Sequence, residues 1–375
     1  MICVLKEFKV MGFKNFKEEL FFDLGTARNY EFNSDVVKNG VIKTALVYGI
    51  NGSGKSNLGY AIFDLIGHLT DKRKTIDKYD LYLNLEKDIK KASFYYKFQF
   101  GKDILEYHYE KKSYVELTRE IIKINGNVVI DYNHELRNLT IPIINLRGAE
   151  NLNSNLGNSK ISFVKYLSNN TKLDNRVKEN RIFNKFIGFV DNMLFFRSLR
   201  TNEYQGFMNS SSFIHNEIVK HGKLNEFQKF LSENKLNYDL ATEHRDDKEV
   251  IVCKFSTGKT VDLGKIYSTG TEALSLFFYW KIFFEKISFV FIDEFDAFYH
   301  YEIAKNIIEV IKQTKGLQGV MTTHNTDVMS NDLLRPDCYF ILNENKISSL
   351  ADATEKELRC AHNLQKMYKA GAFKV

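Results

Sequence analysis

The sequence has 375 residues, 44% of them apolar and 27% charged, with a net charge of +6. That composition supports a sizeable core and excludes a disordered chain, and the longest apolar runs, near 276–284 and 287–292, are too short to span a bilayer. The mild positive charge permits contact with DNA without requiring it, because no basic stripe is present. The two prolines, Pro142 and Pro336, mark no linker. Cys3, Cys253, Cys338 and Cys360 show neither zinc nor disulfide spacing. One continuous body with reduced thiols is expected, in the cytoplasm, without a signal sequence or membrane contact.

In chain order, residues 2–10 and 19–24 read as strands around a turn at 12–17, and 44–48 as a short buried strand. Helical spacing of Leu58, Ile62, Leu65, Ile66 and Leu69 predicts one helix over 56–70. Residues 93–131 alternate strongly. Phe94, Tyr96, Phe98 and Phe100 share a face, a turn follows at 101–103, and Leu105, Tyr107 and Tyr109 continue on the returning strand. Asn125-Gly126 sets a second hairpin turn, which makes an antiparallel meander.

Residues 150–245 are Asn- and Lys-rich and mostly helical in pattern. Phe183, Phe186, Ile187, Val190, Met193 and Leu194 follow helical spacing, and no heptad persists long enough for a coiled-coil arm. Strand pattern returns at 250–265. Helices are expected at 271–284 and 301–314, strands at 289–292, 319–322 and 338–342, and a terminal helix at 350–368. The alternation on both sides of the middle segment predicts an α/β class: a P-loop head with an antiparallel β-meander and a mainly helical insert. The expected division is 1–149, 150–248 and 249–375.

The segment GINGSGKS at 49–56 fills every fixed position of GxxxxGK[ST], after a buried strand and before a helix. Gly49, Gly52 and Gly54 let successive N–H groups turn toward phosphate oxygens, and the helix N-terminus adds its positive end. Lys55 would place its ammonium near the β- and γ-phosphates, and Ser56 is a natural Mg²⁺ ligand. ATP and Mg²⁺ are the expected cofactors. The bland alternative is a glycine-rich turn with an exposed lysine.

Asp293 and Glu294 close an apolar run, where open α/β sheets bind ligands. Asp293 would hold Mg²⁺, and Glu294 would orient the attacking water. His324, about thirty residues on, can sense the γ-phosphate. Ser268 and Gly270 stand before a long helix. They suit an anion, or Ser268 is only a helix cap with Glu272 completing a capping box.

This order of motifs resembles the ABC ATPase superfamily and its SMC-head branch. It resembles more closely the RloA and AbiL-type ATPases of anti-phage abortive-infection systems, relatives of the OLD-family head that lack its TOPRIM nuclease. Phe13, Lys14, Asn15, Phe16 and Lys17 look like the group's "NFRSFK" element. Asn51, Ser53 and Asn57 complete its "GxNxSGKSN" form. Ser268–Glu272 is similar to "SSGTQ", 293–300 to "DExxxxLH", and Thr322, Thr323 and His324 to "TTH". Leu350, Asn363, Leu364, Tyr368 and Gly371 resemble its C-terminal pattern. Glu272 departs from the usual Gln and Asn15 from Ser.

The resemblance implies a homodimer or higher even oligomer. Two ATPs would lie between one subunit's P-loop and the other's Ser268 and Gly270. Lys14 would reach the nucleotide, and Ala297 and Phe298 would face the dimer. The glutamine such heads place beside the nucleotide is not assigned; Gln99, on the meander, is a weak candidate.

No two aspartates stand as DxD, so a metal-dependent nuclease centre is not expected here. His215, His221, Glu243 and His244 read as solvent-facing. The expected role is therefore a Mg²⁺-dependent ATPase switch in abortive infection that controls a separate, operon-encoded toxin or nuclease. Phe183, Phe186, Phe189, Phe195 and Phe196 offer either the docking surface for that partner or a small helical core. The alternative role is a RecF- or SMC-like DNA repair ATPase.

Overall fold

The computed structural model describes residues 3–72, 76–86, 88–136, 139–197, 203–208, 214–245 and 248–375. Two seven-stranded sheets organise them. In the central sheet, Met193–Arg197, Phe289–Asp293, Gln318–Thr322, Thr44–Tyr48 and Tyr339–Asn343 run parallel in that spatial order. Glu203–Gly206 and Lys346–Ser349 add antiparallel edges. Strands covered on both faces read as continuous apolar runs, and Thr44–Tyr48, Phe289–Asp293 and Gln318–Thr322 are buried at every position.

The second sheet is the antiparallel meander. Ala92–Phe100, Asp103–Ser113, Glu116–Ile124 and Asn127–Asn133 follow one another, with Cys3–Met11 and Leu20–Asp23 on one side and Ile143–Ile144 on the other. Burial alternates residue by residue along Ala92–Phe100, as the period-two pattern requires. Asn125 and Gly126 both adopt positive φ (50° and 85°), which a two-residue hairpin turn demands.

The helix Lys55–Ile62 lies between the two sheets. A Cβ on Gly59 would come within 2.6 Å of Phe291 and 2.8 Å of Phe195 in the central sheet. On the other side, Tyr96 Oη donates to Ala61 O at 2.9 Å. Gln318 ties the sheets together: its amide accepts from Leu5 N and donates to Leu5 O, both at 2.8 Å. On the far face of the central sheet, Trp280 of the helix Thr269–Lys281 stacks on Phe196, and Gly319 lets Ile311 of the helix Tyr301–Gln313 approach closely.

Three expectations change, and one open alternative is decided. The helix over 56–70 is two, Lys55–Ile62 and Asp64–Leu69, broken at Phe63, whose ψ of 2° leaves the helical region. The helical spacing through Met193 and Leu194 ends earlier: the helix Lys178–Asp191 stops, and Met193–Arg197 is a strand beside Phe289–Asp293. The middle segment thus supplies strands to the central sheet as well as helices.

Phe183, Phe186, Phe189, Phe195 and Phe196 are all buried, against the meander or within the central sheet, so they form core and not a docking surface. Each such ring contributes about 1.5–3 kcal/mol by leaving water. Finally, the terminal helix over 350–368 is confined to Leu364–Lys369. The Asn331 amide takes the carbonyls of Arg359, Cys360 and His362, groups a continuous helix would have used. Among the described residues no helix is long and apolar enough to cross a membrane.

Candidate nucleotide site

The parallel strands end side by side, and their carboxyl ends bring three separated motifs together. After Tyr48 the chain turns through Gly52 (φ 81°) and Gly54 (φ 101°) into the helix Lys55–Ile62, whose first turn has no side-chain cap. Those N–H groups remain available to a ligand. Gly49 and Gly54 are required by crowding: a Cβ on Gly49 would meet Ser53 Oγ at 2.4 Å, and one on Gly54 would meet the Asn15 amide at 2.4 Å. Asn51 and Gly52 are exposed at the loop's tip. Ser53 is buried, and its hydroxyl has no partner among the described residues.

Lys55 is buried with its ammonium folded back on Gly49 O (2.9 Å) and Ile50 O (3.1 Å). Burial lowers its pKa, opposed by the nearby Asp293 and Glu294 carboxylates. Ser56 Oγ donates to Asp293 Oδ2 at 2.7 Å, and Thr322 Oγ1 donates to Asp293 Oδ1 at 2.7 Å. The same Thr322 oxygen accepts from Glu294 N at 2.8 Å and so braces Glu294, which sits at φ 50°. Asp293 is wholly buried, whereas the Glu294 side chain is 27% exposed. His324 is exposed nearby. Partial burial and the Lys55 charge lower its pKa, against Glu294 and Asp293, which favours the neutral ring.

An all-oxygen set of one hydroxyl and one carboxylate fits Mg²⁺, which takes one or two protein oxygens and keeps phosphate and water for the rest. Among the described residues no cluster of three or more His, Cys, Asp or Glu side chains suits a metal held by protein alone. The orphaned Ser53 hydroxyl, the uncapped helix and the Lys55 ammonium together fit a polyphosphate.

Other expected residues lie apart from this cluster. Lys14 is half-buried at φ 50°, and its ammonium donates to Leu81 O at 3.4 Å. Its neighbour Asn15 reaches the P-loop instead, accepting from Asn57 Nδ2 at 2.7 Å. Gln99 donates to Gly101 O in its own hairpin. Ser268 caps the helix Thr269–Lys281 by accepting from Thr271 N at 3.3 Å, and Gly270 abuts Phe298 O in the loop after the acids. Ala297 is exposed beside it.

One residue escaped the sequence reading. Arg197, at the end of the strand Met193–Arg197, pairs in register with Asp293. Its guanidinium lies 3.4 Å from Asp293 Oδ2 and 3.4 Å from Glu294 Oε2. The available signal was the run Met193, Leu194, Phe195, Phe196, Arg197, four apolar residues ended by a charge, which parallels Phe289–Asp293.

A glycine-rich loop entering a helix, with an acid pair at the end of a neighbouring parallel strand, defines a P-loop ATPase fold. The chain belongs to the family described as "AAA domain, putative AbiEii toxin, Type IV TA system", whose profile matches residues 45–330. No curated protein matches it. Similar solved structures include the SMC head domain from Thermotoga maritima, at 16% identity over 92% of this chain and 97% of that one, with a TM-score of 0.45. The Smc head domain with a coiled coil and joint from Pyrococcus yayanosii is 11% identical over 99% and 100%, with a TM-score of 0.47. The recombination mediator RecF is 16% identical over 93% and 99%, with a TM-score of 0.40.

Proposed function

We propose that this chain hydrolyses ATP with Mg²⁺ and works as a dimeric switch that controls a separate toxin or nuclease in an abortive-infection system. The observation that carries the reading is the convergence of Ser56, Asp293, Thr322 and Glu294 at the mouth of the P-loop. The family's toxin–antitoxin description supports the biological setting, as does the resemblance of its motifs to RloA and AbiL-type ATPases.

In this reading the backbone N–H groups of residues 52–56 and the Lys55 ammonium bind the phosphates. Lys55 reaches them by leaving the carbonyls of Gly49 and Ile50. Ser56 and Asp293 hold the cation, which when bound would neutralise phosphate charge. Glu294, braced by Thr322, orients water for attack. His324, kept neutral, senses the terminal phosphate. Ser268, exposed, and Gly270, part-buried against Phe298, would close on the nucleotide of a second subunit.

The test is Glu294→Gln, purified in Mg²⁺-ATP after expression with its native operon. The expected result is a nucleotide-bound dimer carrying a stoichiometric operon-encoded toxin or nuclease. Recovery of DNA and repair proteins alone would replace the defence reading with the DNA-repair one. An ATP-bound monomer would sink the shared dimer.

A further inference from the structure

The central sheet carries a cation beside the acid pair. Arg197 stands beside Asp293 on the adjacent parallel strand, and its guanidinium spans both members of the acid pair. Its contact on Asp293 is with Oδ2, the same oxygen that accepts from Ser56. Asp293, which would hold a divalent cation, and Glu294, which would orient water beside it, are therefore already paired with an organic cation.

The pairing is looser than those of Arg119 and Arg335. Charge-assisted N–H···O bonds close to about 2.7–2.9 Å. Arg119 meets Asp131 through two bonds of 3.1 and 2.8 Å, and the Arg335 Nε bond to Asp337 measures 3.0 Å. Arg197 stays at 3.4 Å from both carboxylates, and its buried Nε makes no hydrogen bond among the described residues. A buried donor left unmade costs stability, so this arrangement is not a contact optimised for the fold.

A second seat is adjacent. Arg197 faces Glu203 across the antiparallel edge pair, and Glu203 is held by Tyr60 Oη at 2.8 Å. Tyr60 projects from the helix that follows the P-loop. The guanidinium thus has carboxylates on two sides, one pair belonging to the nucleotide site and one acid outside it.

We propose that Arg197 is a positioning residue that competes with the divalent cation for the Asp293–Glu294 pair and moves to Glu203 when Mg²⁺ binds with ATP. This rests on the nucleotide reading above and adds a regulated step to it. A monovalent cation fixed to the protein neutralises the acids without a metal. Only a divalent ion that also brings phosphate ligands displaces it, which disfavours free Mg²⁺ and favours Mg²⁺-ATP. Competition of this kind is a coupling free energy between Arg197 and the metal, and it must act in both directions.

The experiment measures binding, not turnover. The full chain is titrated with Mg²⁺ at a fixed concentration of a fluorescent, slowly hydrolysed ATP analogue, and the Mg²⁺ midpoint is read. Arg197→Gln removes the competitor, so its midpoint is expected to fall by about fivefold or more, with binding in EDTA unchanged. Glu203→Gln removes the second seat, so its midpoint is expected to rise. These opposite signs are what a merely structural ion pair would not give.

An Arg197→Gln midpoint equal to or above that of the unmodified chain overturns the proposal. Should Arg197→Gln fail to fold, Arg197→Met keeps the length but removes the charge, and an unshifted midpoint there overturns it equally. If the unmodified chain binds no ATP analogue at any Mg²⁺ concentration, the nucleotide reading itself fails and the proposal falls with it. Loss of the Mg²⁺ shift with ATP binding intact would strike this proposal alone.

Discussion

Two buried cation–carboxylate pairs lie on opposite sides of the helices that follow the P-loop, and they are built differently. Lys111 and Asp64, between the meander and the helix Asp64–Leu69, are both fully buried and meet at 2.7 Å. Asp64 and Lys111 are fully engaged: Tyr82 and Tyr109 donate to the two Asp64 oxygens, and Lys111 also donates to Tyr114 O, while the Tyr114 hydroxyl is buried without a partner among the described residues. Arg197 and the Asp293–Glu294 pair sit at the ends of the central strands, partly open, with long contacts and an unsatisfied donor. A saturated buried network fixes one structure. An unsaturated one leaves capacity for a ligand.

The largest effect expected from this contrast is on the saturated side. Lys111→Met leaves the Asp64 carboxylate buried without its cation, and removal of one partner of such a pair costs about 3–5 kcal/mol. Urea unfolding followed by circular dichroism should show it as a lower midpoint. A change below about 1 kcal/mol would mean that the tyrosines alone support Asp64, and the distinction between the two pairs would narrow.

Next comes Glu294→Gln on the unsaturated side. Its expected effect on unfolding is small because the side chain is partly exposed and its ion pair is long. ATP turnover should fall by about 100-fold, the size of a lost general base, with nucleotide affinity retained. Equal turnover in a steady-state phosphate-release assay would remove Glu294 from the chemistry.

A third prediction uses pH. Glu120 is buried and accepts from Ser162 Oγ (2.6 Å), Tyr107 Oη (2.8 Å) and Phe163 N (2.6 Å), with His134 Nε2 at 2.8 Å. Burial pushes its carboxyl up, but the His134, Ser162 and Tyr107 contacts outweigh it and hold the pKa below the ordinary 4.5. A depressed folded pKa contributes stability that is present above 4.5 and is lost as pH falls through the folded value. Glu120→Gln should therefore cost about 1–3 kcal/mol at pH 7, and its gap from the unmodified chain should shrink on acidification below pH 4.5. A gap that stays constant with pH would assign the cost to packing alone.

What was legible in the sequence follows from the same contrast. The P-loop, the acid pair and the Thr-Thr-His element are contiguous, so each chemistry-bearing group carries its own local pattern. The meander was legible because alternation over Ala92–Phe100 is a strong period-two signal with a matched Asn-Gly turn. Arg197 was hidden because Met193–Phe196 is a short apolar run, and such runs fit a helix or a strand equally well. Pairing with Phe289–Asp293 decided the matter, and pairing is not local. The network around Asp64 was hidden for a related reason. Tyr82, Tyr109 and Lys111 read singly as ordinary strand and turn residues, and only the fold brings them to one carboxylate.

The smallest effect concerns the pair with the better geometry. Arg119 grips Asp131 through two bonds across the strands Glu116–Ile124 and Asn127–Asn133, but its side chain is 45% exposed. Solvent screening and side-chain entropy reduce such a pair to about 0.2–1 kcal/mol. Arg119→Ala should therefore move the urea midpoint slightly and leave the Mg²⁺ midpoint for nucleotide binding where it was. Arg197→Gln is expected to do the reverse, although its contacts are longer. If Arg119→Ala cost as much as Lys111→Met, bond geometry rather than burial and saturation would rank these pairs, and the loose contacts of Arg197 would lose their meaning as a sign of function.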